Sequence, residues 1–338
     1  MNFNVMNQLP DGFFSVHPTN LNTIFEGPTL IHLNYERKET VLISVMLHGN
    51  EHSGFYAIQK YLKVIDTQKE KPERNISILI GNVEAAAENL RFLDGQKDLN
   101  RIWSDGDSEE EVWAQKIYKE MSDKNLFAAI DLHNNTGKNP HYCAVTCLEE
   151  NTLRLASIFD GNILYFTDPK EVFSNYFSSL CPSLTVEAGQ SGDQIGISKI
   201  ILLVEKVLSL SSYKDMGTLE KLMEGKKVYE SFGKIKLPEG ASISFSDEVA
   251  DFNFPSDIEK FNFNSVYVGE IFGRANNIEQ HLLVYDKNNE LVGESYFKYV
   301  GTKIVSIEEF YPAMITTDSK IIKQDCLCYI LRNFDWSK

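Results

Sequence analysis

The sequence predicts an α/β fold followed by a smaller β-rich domain, and two observations predict it. Up to residue 210, short apolar runs typical of buried strands alternate with segments whose apolar residues recur at helical spacing. Beyond residue 225, short apolar runs are separated by turn-forming clusters such as the one at 286–289, which is typical of all-β structure. We therefore predict a first domain of residues 1–210 and a second of residues 211–338, with the boundary at 211–225, where serine, glycine and charge accumulate.

The first strand, loop and helix are predicted at residues 41–63. Residues 41–47 are apolar except for one serine and rich in valine and isoleucine, as expected of a parallel strand covered on both faces. His48 follows, a Gly-Asn turn comes next, and from Glu51 the apolar residues recur at helical spacing. We expect His48 at the carboxyl edge of the strand, where open α/β sheets bind ligands, and Glu51 in the first turn of the helix.

The alternation of strands and helices continues to residue 210. A second buried strand is predicted at 76–80 and a third at 126–132, which again ends at a histidine, His133. Between them, the polar segment 92–107 predicts a long loop, and such loops in compact domains are usually functional. The next helix opens with acidic residues at 109–111, which suits the helix dipole. The remaining predicted elements are strands at 142–147, 162–166 and 183–186, a helix at 193–210, and strand-like runs at 226–237, 265–272, 281–286, 291–297 and 327–331.

Charge and cysteine content exclude several classes of protein. A formal net charge of -15 leaves no basic face for phosphates, so neither a nucleic acid nor an anionic membrane is an expected partner. The five cysteines are odd in number and lack paired C-x-x-C spacing, which favours reduced thiols in the cytoplasm over a disulfide framework. No basic stretch followed by an apolar one opens the chain, so we expect neither secretion nor a membrane span.

Two histidines and a glutamate stand where a metal site is expected. Zinc in hydrolytic sites takes three protein ligands, of which two histidines and one glutamate are a known set, and keeps a position for water. His48, Glu51 and His133 supply that set, because both histidines follow buried strands and precede loops. Asp131 lies two residues before His133 on the same side of its strand, where it either orients the imidazole or caps a turn.

Four ordered motifs carry a resemblance to a known family. They are His48-Gly-Asn-Glu51, Asp98-Leu-Asn-Arg101, Asp131-Leu-His-Asn134 followed by Thr136-Gly137, and Val186-Glu187-Ala-Gly189. In this order they resemble the succinylglutamate desuccinylase and aspartoacylase family, a branch of the zinc carboxypeptidase fold. The resemblance spans residues 41–210 and implies a zinc carboxypeptidase-like mixed sheet flanked by helices. The remainder resembles the smaller carboxy-terminal domain of the family in size and texture only.

The resemblance implies a role for each site residue. His48, Glu51 and His133 would hold one zinc ion per chain, and Glu187 would be the general base. Asn100 and Arg101 would hold a substrate carboxylate, for which the planar guanidinium is suited, and Arg91 would polarise the scissile carbonyl. An arginine that aspartoacylases carry shortly before the base has no counterpart, since residues 173–180 contain no cation. This departure weighs against N-acetylaspartate as the substrate.

Together these observations predict a cytoplasmic zinc-dependent hydrolase that cleaves the amide bond of a small N-acylated amino acid or a similar carboxylated amide. Two alternatives stay open. One is a metallocarboxypeptidase acting on short peptides, which would use the same zinc ligands. The other is a catalytically silent binding protein on the same fold. Whether the chain forms a homo-oligomer is left open by the sequence.

Overall fold

A computed structural model of the chain describes residues 3–68, 71–159, 161–277 and 279–337. Those parts of the predicted domains that fall on residues 1–2, 69–70, 160, 278 and 338 lie outside the described residues. The chain divides into two compact units. One comprises residues 1–134 and 141–227, and the other comprises residues 135–140 and 228–338.

The first unit is a mixed sheet with helices, as the sequence predicts. Its strands are β1 (Asn4–Met6), β2 (Thr29–Leu33), β3 (Thr40–Val45), β4 (Asn75–Ile80), β5 (Leu126–His133), β6 (Tyr142–Val145), β7 (Asn162–Tyr165) and β8 (Ser183–Glu187). Its α-helices are α1 (Ser53–Gln68), α2 (Val83–Ala87), α3 (Glu109–Ser122), α4 (Glu150–Ile158), α5 (Phe173–Phe177), α6 (Gln194–Ser209) and α7 (Leu219–Met223). Two 3-10 helices, Pro18–Thr23 and Tyr213–Met216, complete it. The strand order is β1-β2-β4-β3-β5-β8-β6-β7, in which β2 and β6 run antiparallel to their neighbours β4 and β8.

The candidate site lies at the ends of three parallel strands at the centre of this sheet. The strands β3, β5 and β8 are neighbours, and their register pairs Val45 with Leu132 and His133 with Glu187. Every residue of β3 is buried, which explains the unbroken apolar run in the sequence. Because the carboxyl ends of parallel strands lie at one edge of a sheet, the segments after these three strands meet there.

Helix α1 begins at Ser53, so the prediction that Glu51 lies in its first turn is wrong. Glu51 precedes the helix, so the direction of its side chain is not set by the helical spacing. The first amide of the helix, that of Ser53, donates to Oδ1 of Asn134 at 3.0 Å. An acceptor from a distant segment thus takes the place of a local N-cap side chain, and the sequence around residue 51 does not contain that signal.

The second half of the predicted long loop is packed into the core. Leu99, Ile102 and Trp103 are all buried. The indole of Trp103 donates to the carbonyl of Leu99 at 2.8 Å and meets the ring of Phe173 edge-on, with 5.0 Å between centroids. Replacing a buried tryptophan with alanine typically costs ~3–5 kcal/mol, so this packing is a strong restraint on the loop. The residues of the loop just before Trp103 are therefore held in place at the site.

The second unit is rich in β-strands. Its strands are β9 (Val228–Lys236), β10 (Ile243–Ser244), β11 (Phe252–Asn253), β12 (Ile271–Ala275), β13 (Leu283–Asp286), β14 (Phe297–Val300), β15 (Lys303–Ser306), β16 (Tyr311–Ala313) and β17 (Cys328–Asn333). Its helices are the 3-10 helix Ile258–Phe261, α8 (Gly293–Tyr296) and α9 (Ser319–Gln324). One sheet has the order β10-β11-β12-β15-β14, while β9 pairs with both β13 and β17.

Two strand predictions in the second unit are wrong in part. Within the predicted strand 291–297, residues Gly293–Tyr296 form the short helix α8, because the Gly-Glu-Ser segment after Val292 has low strand propensity and turns the chain. Residues 265–272 become a strand only at Ile271, since Gly269 adopts a φ of 89° and interrupts the extended run. In the described part of the chain, no helix is long and apolar enough to cross a membrane.

Candidate functional site

The three predicted metal ligands converge at the sheet edge. Nδ1 of His48 lies 2.8 Å from Oε1 of Glu51, and Nδ1 of His133 lies 2.7 Å from Oε2 of the same carboxylate. The two Nδ1 atoms are 3.1 Å apart. All three side chains are buried, and their donor atoms lie within 4.8 Å of one another. The set could hold a metal ion, because its ring nitrogens and carboxylate face a common point.

Each histidine of the set has a carboxylate at its outer ring nitrogen. Nε2 of His133 lies 2.7 Å from Oδ2 of Asp131, so this aspartate orients the imidazole, one of the two roles left open for it. Nε2 of His48 lies 2.9 Å from Oδ1 of Asp98. With a metal bound, ring protons on these outer nitrogens would leave Nδ1 of both rings as the donor atoms.

Asp98 is a site residue that the sequence analysis missed. It stands in the Asp98–Arg101 motif, which was the available signal, but a carboxylate in a long loop cannot be placed opposite a histidine from sequence alone. Its Oδ2 accepts from Nε and a terminal nitrogen of Arg91 at 3.2 and 3.0 Å, while its Oδ1 accepts from the amide of Asn100 at 2.8 Å. Asp98 therefore joins a candidate metal ligand to the arginine predicted for the carbonyl.

Electrostatics at the site favour a cation. Burial works to raise the pKa of the Glu51 carboxyl, but the charges of His48 and His133 outweigh it and lower that pKa well below its usual range. Burial works to lower the pKa of His133, but the carboxylates of Asp131 and Glu51 raise it well above its usual range. Since buried charge must be compensated, the buried carboxylates of Glu51 and Asp131 need positive charge beside them, which a divalent cation can supply.

Two further contacts fix the candidate ligand Glu51. The amide of Asn134 donates to its Oε2 at 3.0 Å, and a terminal nitrogen of Arg91 lies 3.6 Å from its Oε1. Arg91 is thus close to the three ligands, with about a third of its side chain exposed. A guanidinium that borders the donor set and still reaches solvent can also contact a bound molecule.

Asn100 and Arg101 are predicted to hold a substrate carboxylate. They differ in how many of their hydrogen-bonding groups already have a partner in the protein. The buried side chain of Asn100 accepts from the amide of Phe173 at 3.0 Å and places Nδ2 3.2 Å from Nε2 of His133. Arg101 donates from its guanidinium to the carbonyl of Asn100 at 2.7 Å and has no carboxylate as an ion-pair partner among the residues that the structure describes. Most of its donors are therefore free for an anion.

Glu187, the predicted general base, ends β8 and is the register partner of His133. Burial raises the pKa of the Glu187 carboxyl to about 8, the charge of His133 opposes that rise, and the carboxylate of Glu51 adds to it. A carboxyl that titrates near neutrality next to candidate metal ligands is typical of an acid–base group.

Comparisons with known proteins agree with this geometry. The sequence model of the succinylglutamate desuccinylase/aspartoacylase catalytic domain matches residues 37–210. The succinylglutamate desuccinylase of Vibrio parahaemolyticus is 22% identical over 303 residues, which cover 84% of this chain and 82% of the relative. That of Shewanella piezotolerans is also 22% identical and covers 67% of this chain and 70% of the relative.

Solved structures share the fold. The structure of succinylglutamate desuccinylase from Vibrio parahaemolyticus matches with a TM-score of 0.59 and 14% identity, covering 90% of this chain and 84% of that one. Murine aminoacylase 3 matches with a TM-score of 0.54 and 16% identity, covering 89% of this chain and 97% of that one. With a family match over more than half of its length and a His-Glu-His set at the expected sheet edge, the chain belongs to the succinylglutamate desuccinylase/aspartoacylase family of hydrolases.

Proposed function

We propose that this protein is a zinc-dependent hydrolase that cleaves the amide bond of a small N-acylated amino acid. One observation carries the proposal. His48, Glu51 and His133 converge on one point, and both imidazoles are held by carboxylates on their far sides. A set of this kind is typical of catalytic zinc rather than of a structural site, which uses four protein ligands.

The spacing of the donors suits zinc. Two imidazole nitrogens bound to one tetrahedral zinc lie about 3.3 Å apart, given Zn–N bonds of ~2.0–2.1 Å. The two Nδ1 atoms are 3.1 Å apart, so little rearrangement separates this structure from a metal-bound one. Bound there, one zinc per chain would supply Lewis-acid polarisation of a carbonyl and acidify water.

The chain's own residues account for the proton transfers. In hydrolysis the oxygen of water adds to the amide carbon, and its proton must reach the leaving nitrogen as the C–N bond breaks. Glu187, the register partner of His133, would accept the first proton and return it to the amine. Arg91, next to Glu51, would stabilise the negative charge that develops on the carbonyl oxygen.

Arg101 is the proposed anchor for the carboxylate of the substrate. In a chain of net charge -15, cations are readily paired by acidic neighbours, yet among the described residues the guanidinium of Arg101 has only a carbonyl as its hydrogen-bond partner. A guanidinium fork binds a carboxylate through two parallel hydrogen bonds. Asn100 fixes this arginine, since its carbonyl accepts from it while its side chain is tied to the site.

Two further proposals concern the chain as a whole. The hydrolytic role is assigned to the predicted domain of residues 1–210, and the predicted β-rich domain of residues 211–338 has no assigned chemistry. The cytoplasm is the proposed location, which the free thiols at all five cysteines support. Whether homo-oligomers form is a question for measurement of the mass in solution.

A hydrolysis screen tests the proposal. The zinc-loaded protein is incubated with a panel of N-acetyl and N-succinyl amino acids and of short peptides, and the released amine is measured. We expect release from acylated amino acids, about one zinc per chain by elemental analysis, and loss of that zinc in His48→Ala and His133→Ala. Release from peptides alone would indicate the metallocarboxypeptidase alternative. A protein that binds no zinc and cleaves nothing would refute the proposal in favour of a silent binding protein.

A further inference from the structure

The turn after β8, residues 188–193, follows the proposed base directly and is held by side chains from other segments. Nδ2 of Asn134 donates to Oγ of Ser53 at 3.0 Å, and its other hydrogen points into a group of carbonyl oxygens in the turn. The nearest is that of Gly189 at 3.0 Å, and those of Gln190 and Ala188 lie at 3.3 and 3.5 Å. The side chain of Asn134 therefore binds the start of the turn.

Ser53 binds the end of the same turn. Its buried hydroxyl accepts from the amide of Gly192 at 2.9 Å, in addition to the amide side chain of Asn134. Its own amide donates to Oδ1 of Asn134 at 3.0 Å, and this bond fixes which end of the Asn134 side chain is the oxygen. Asn134 and Ser53 thus form a reciprocal pair that spans the turn.

The same asparagine also contacts a candidate metal ligand. Its backbone amide donates to Oε2 of Glu51 at 3.0 Å, and it follows His133 in the chain. One buried residue therefore joins two candidate ligands, the first turn of α1 and the turn that begins at Glu187. Each partner is a separate segment, so Asn134 sets their relative positions.

The shape of the turn leaves little freedom for other arrangements. Gly189 has a φ of 72°, and a Cβ there would lie 2.7 Å from Oδ2 of Asp193. The amide of Ala188 donates to the carbonyl of His133 at 3.0 Å. If the contacts of Asn134 were lost, the turn would therefore shift as a unit relative to the end of β8, which carries Glu187.

We propose that Asn134 is a positioning residue, which fixes the carboxylate of Glu187 relative to Glu51 through its amide donors. The inference rests on the proposed function, in which Glu187 is the base and Glu51 a zinc ligand. It assigns an effect on turnover to an uncharged side chain that is neither a proposed metal ligand nor the proposed base. A misplacement of a catalytic group by ~1 Å can lower a rate about a hundredfold, so the effect is measurable.

The test uses two variants of Asn134 that lack its amide donors. Asn134→Asp retains the acceptor for the amide of Ser53 but directs an oxygen at the carbonyls of the turn, while Asn134→Ala removes the donors without adding charge. Asn264→Asp is the matched control, because Nδ2 of Asn264 also donates to a carbonyl, that of Lys260 at 2.8 Å, at an exposed position of the other unit. If thermal melting shows that Asn134→Asp is unfolded, Asn134→Ala carries the test.

Two readouts separate positioning from plain stability. On the acylated amino acid that the screen identifies, we expect kcat to fall roughly tenfold to a hundredfold, with KM and zinc content close to those of the parent protein. Hydrogen exchange of the zinc-free protein should be faster at the amides of residues 188–193, including Gly192, and unchanged in Asn264→Asp. Parent-like exchange in this turn, or a parent-like kcat, would overturn the inference.

A double-mutant cycle shows whether Asn134 acts through Glu187. If it does, Asn134→Ala should lower kcat by less than about threefold in a Glu187→Gln background, since the group being positioned is already inactive. Effects that multiply would refute the inference. Should Glu187→Gln alone keep parent activity, the proposed function fails instead, while the exchange experiment still tests whether Asn134 holds the turn.

Discussion

Asp98 offers the sharpest test of how the site is built, because a single carboxylate serves two halves of it. Oδ1 faces Nε2 of His48 at 2.9 Å, and Oδ2 accepts two hydrogen bonds from the guanidinium of Arg91. Burial works to raise the pKa of Asp98, but the charges of His48 and Arg91 outweigh it and lower that pKa well below its usual range. Both interactions therefore favour the charged form of Asp98, which accepts hydrogen bonds from His48 and Arg91.

The perturbation is Asp98→Asn. An amide at this position can keep its oxygen on His48, but its NH2 group then faces the donors of Arg91, and both of those bonds are lost. Partners of metal-bound histidines typically contribute tenfold to a hundredfold in metal affinity. We expect the Kd for zinc to rise about tenfold in Asp98→Asn and about a hundredfold in Asp98→Ala, which correspond to ~1.4 and ~2.7 kcal/mol.

The assay is competition for zinc against a chromophoric chelator of known affinity, with the melting temperature of the zinc-free protein measured alongside. Asp94→Asn is the matched control, because Asp94 is exposed in the same loop and its replacement changes the net charge by the same amount. A Kd for Asp98→Asn within twofold of the parent value would refute the role given to Asp98. An equal rise in Asp94→Asn would trace the effect to overall charge.

Three further predictions follow from the same geometry. Glu187→Gln should retain zinc and lower turnover about a hundredfold, because the amide keeps the shape of the base but accepts no proton; parent-like turnover, or loss of zinc, contradicts this. Arg101→Lys should lower kcat/KM nearly as far as Arg101→Ala, since lysine keeps the charge but not the two-pronged contact, and a substrate with its carboxylate amidated should lose its advantage only on the parent. Burial works to raise the pKa of Asp193, but hydrogen bonds from His141 and the Ile195 amide lower it below the ordinary 3.8, so the stability it gives is present above that pH and is lost as the pH falls through the lowered value. Asp193→Ala should therefore cost about 0.5–2 kcal/mol at pH 7, as expected for a helix N-cap, and the difference from the parent in denaturant titrations should shrink below pH 4.

The sequence predicts the parts of the site that depend on strands. A buried parallel strand has a long, mostly apolar run, and each histidine stands at or just after the end of such a run, so His48 and His133 could both be placed at the carboxyl edge of the sheet. Parallel pairing then brings such ends together at one edge, without further information. The structure confirms the mixed α/β fold with its β-rich second part, and it brings Glu187 to the same edge as the register partner of His133.

Residues whose positions depend on tertiary contacts could not be predicted. Asp98 reaches His48 only because the loop after it is anchored by the burial of Leu99 and Trp103, and nothing local specifies where that anchor docks. The sequence predicts that α1 starts at Glu51. The side chain that accepts from the first amide of the helix belongs to Asn134, which is distant in the chain, so no local signal marks the true start. In the second unit, most strands are only two to five residues long and give a weak periodic signal, so the sequence predicts a strand where the helix α8 forms.

Three residues of the long loop at 92–107 make contacts that connect the loop to the candidate site. Its carboxylate at Asp98 binds a candidate metal ligand and Arg91, its amide at Asn100 reaches His133, and its guanidinium at Arg101 is held by the carbonyl of Asn100. The loop, anchored by the burial of Leu99 and Trp103, therefore contacts both histidines of the candidate site. It follows that the substrate-carboxylate site and the metal site are linked by one segment. A change that loosens the metal ligands should also weaken recognition of the carboxylate, even where no residue of the loop has been altered.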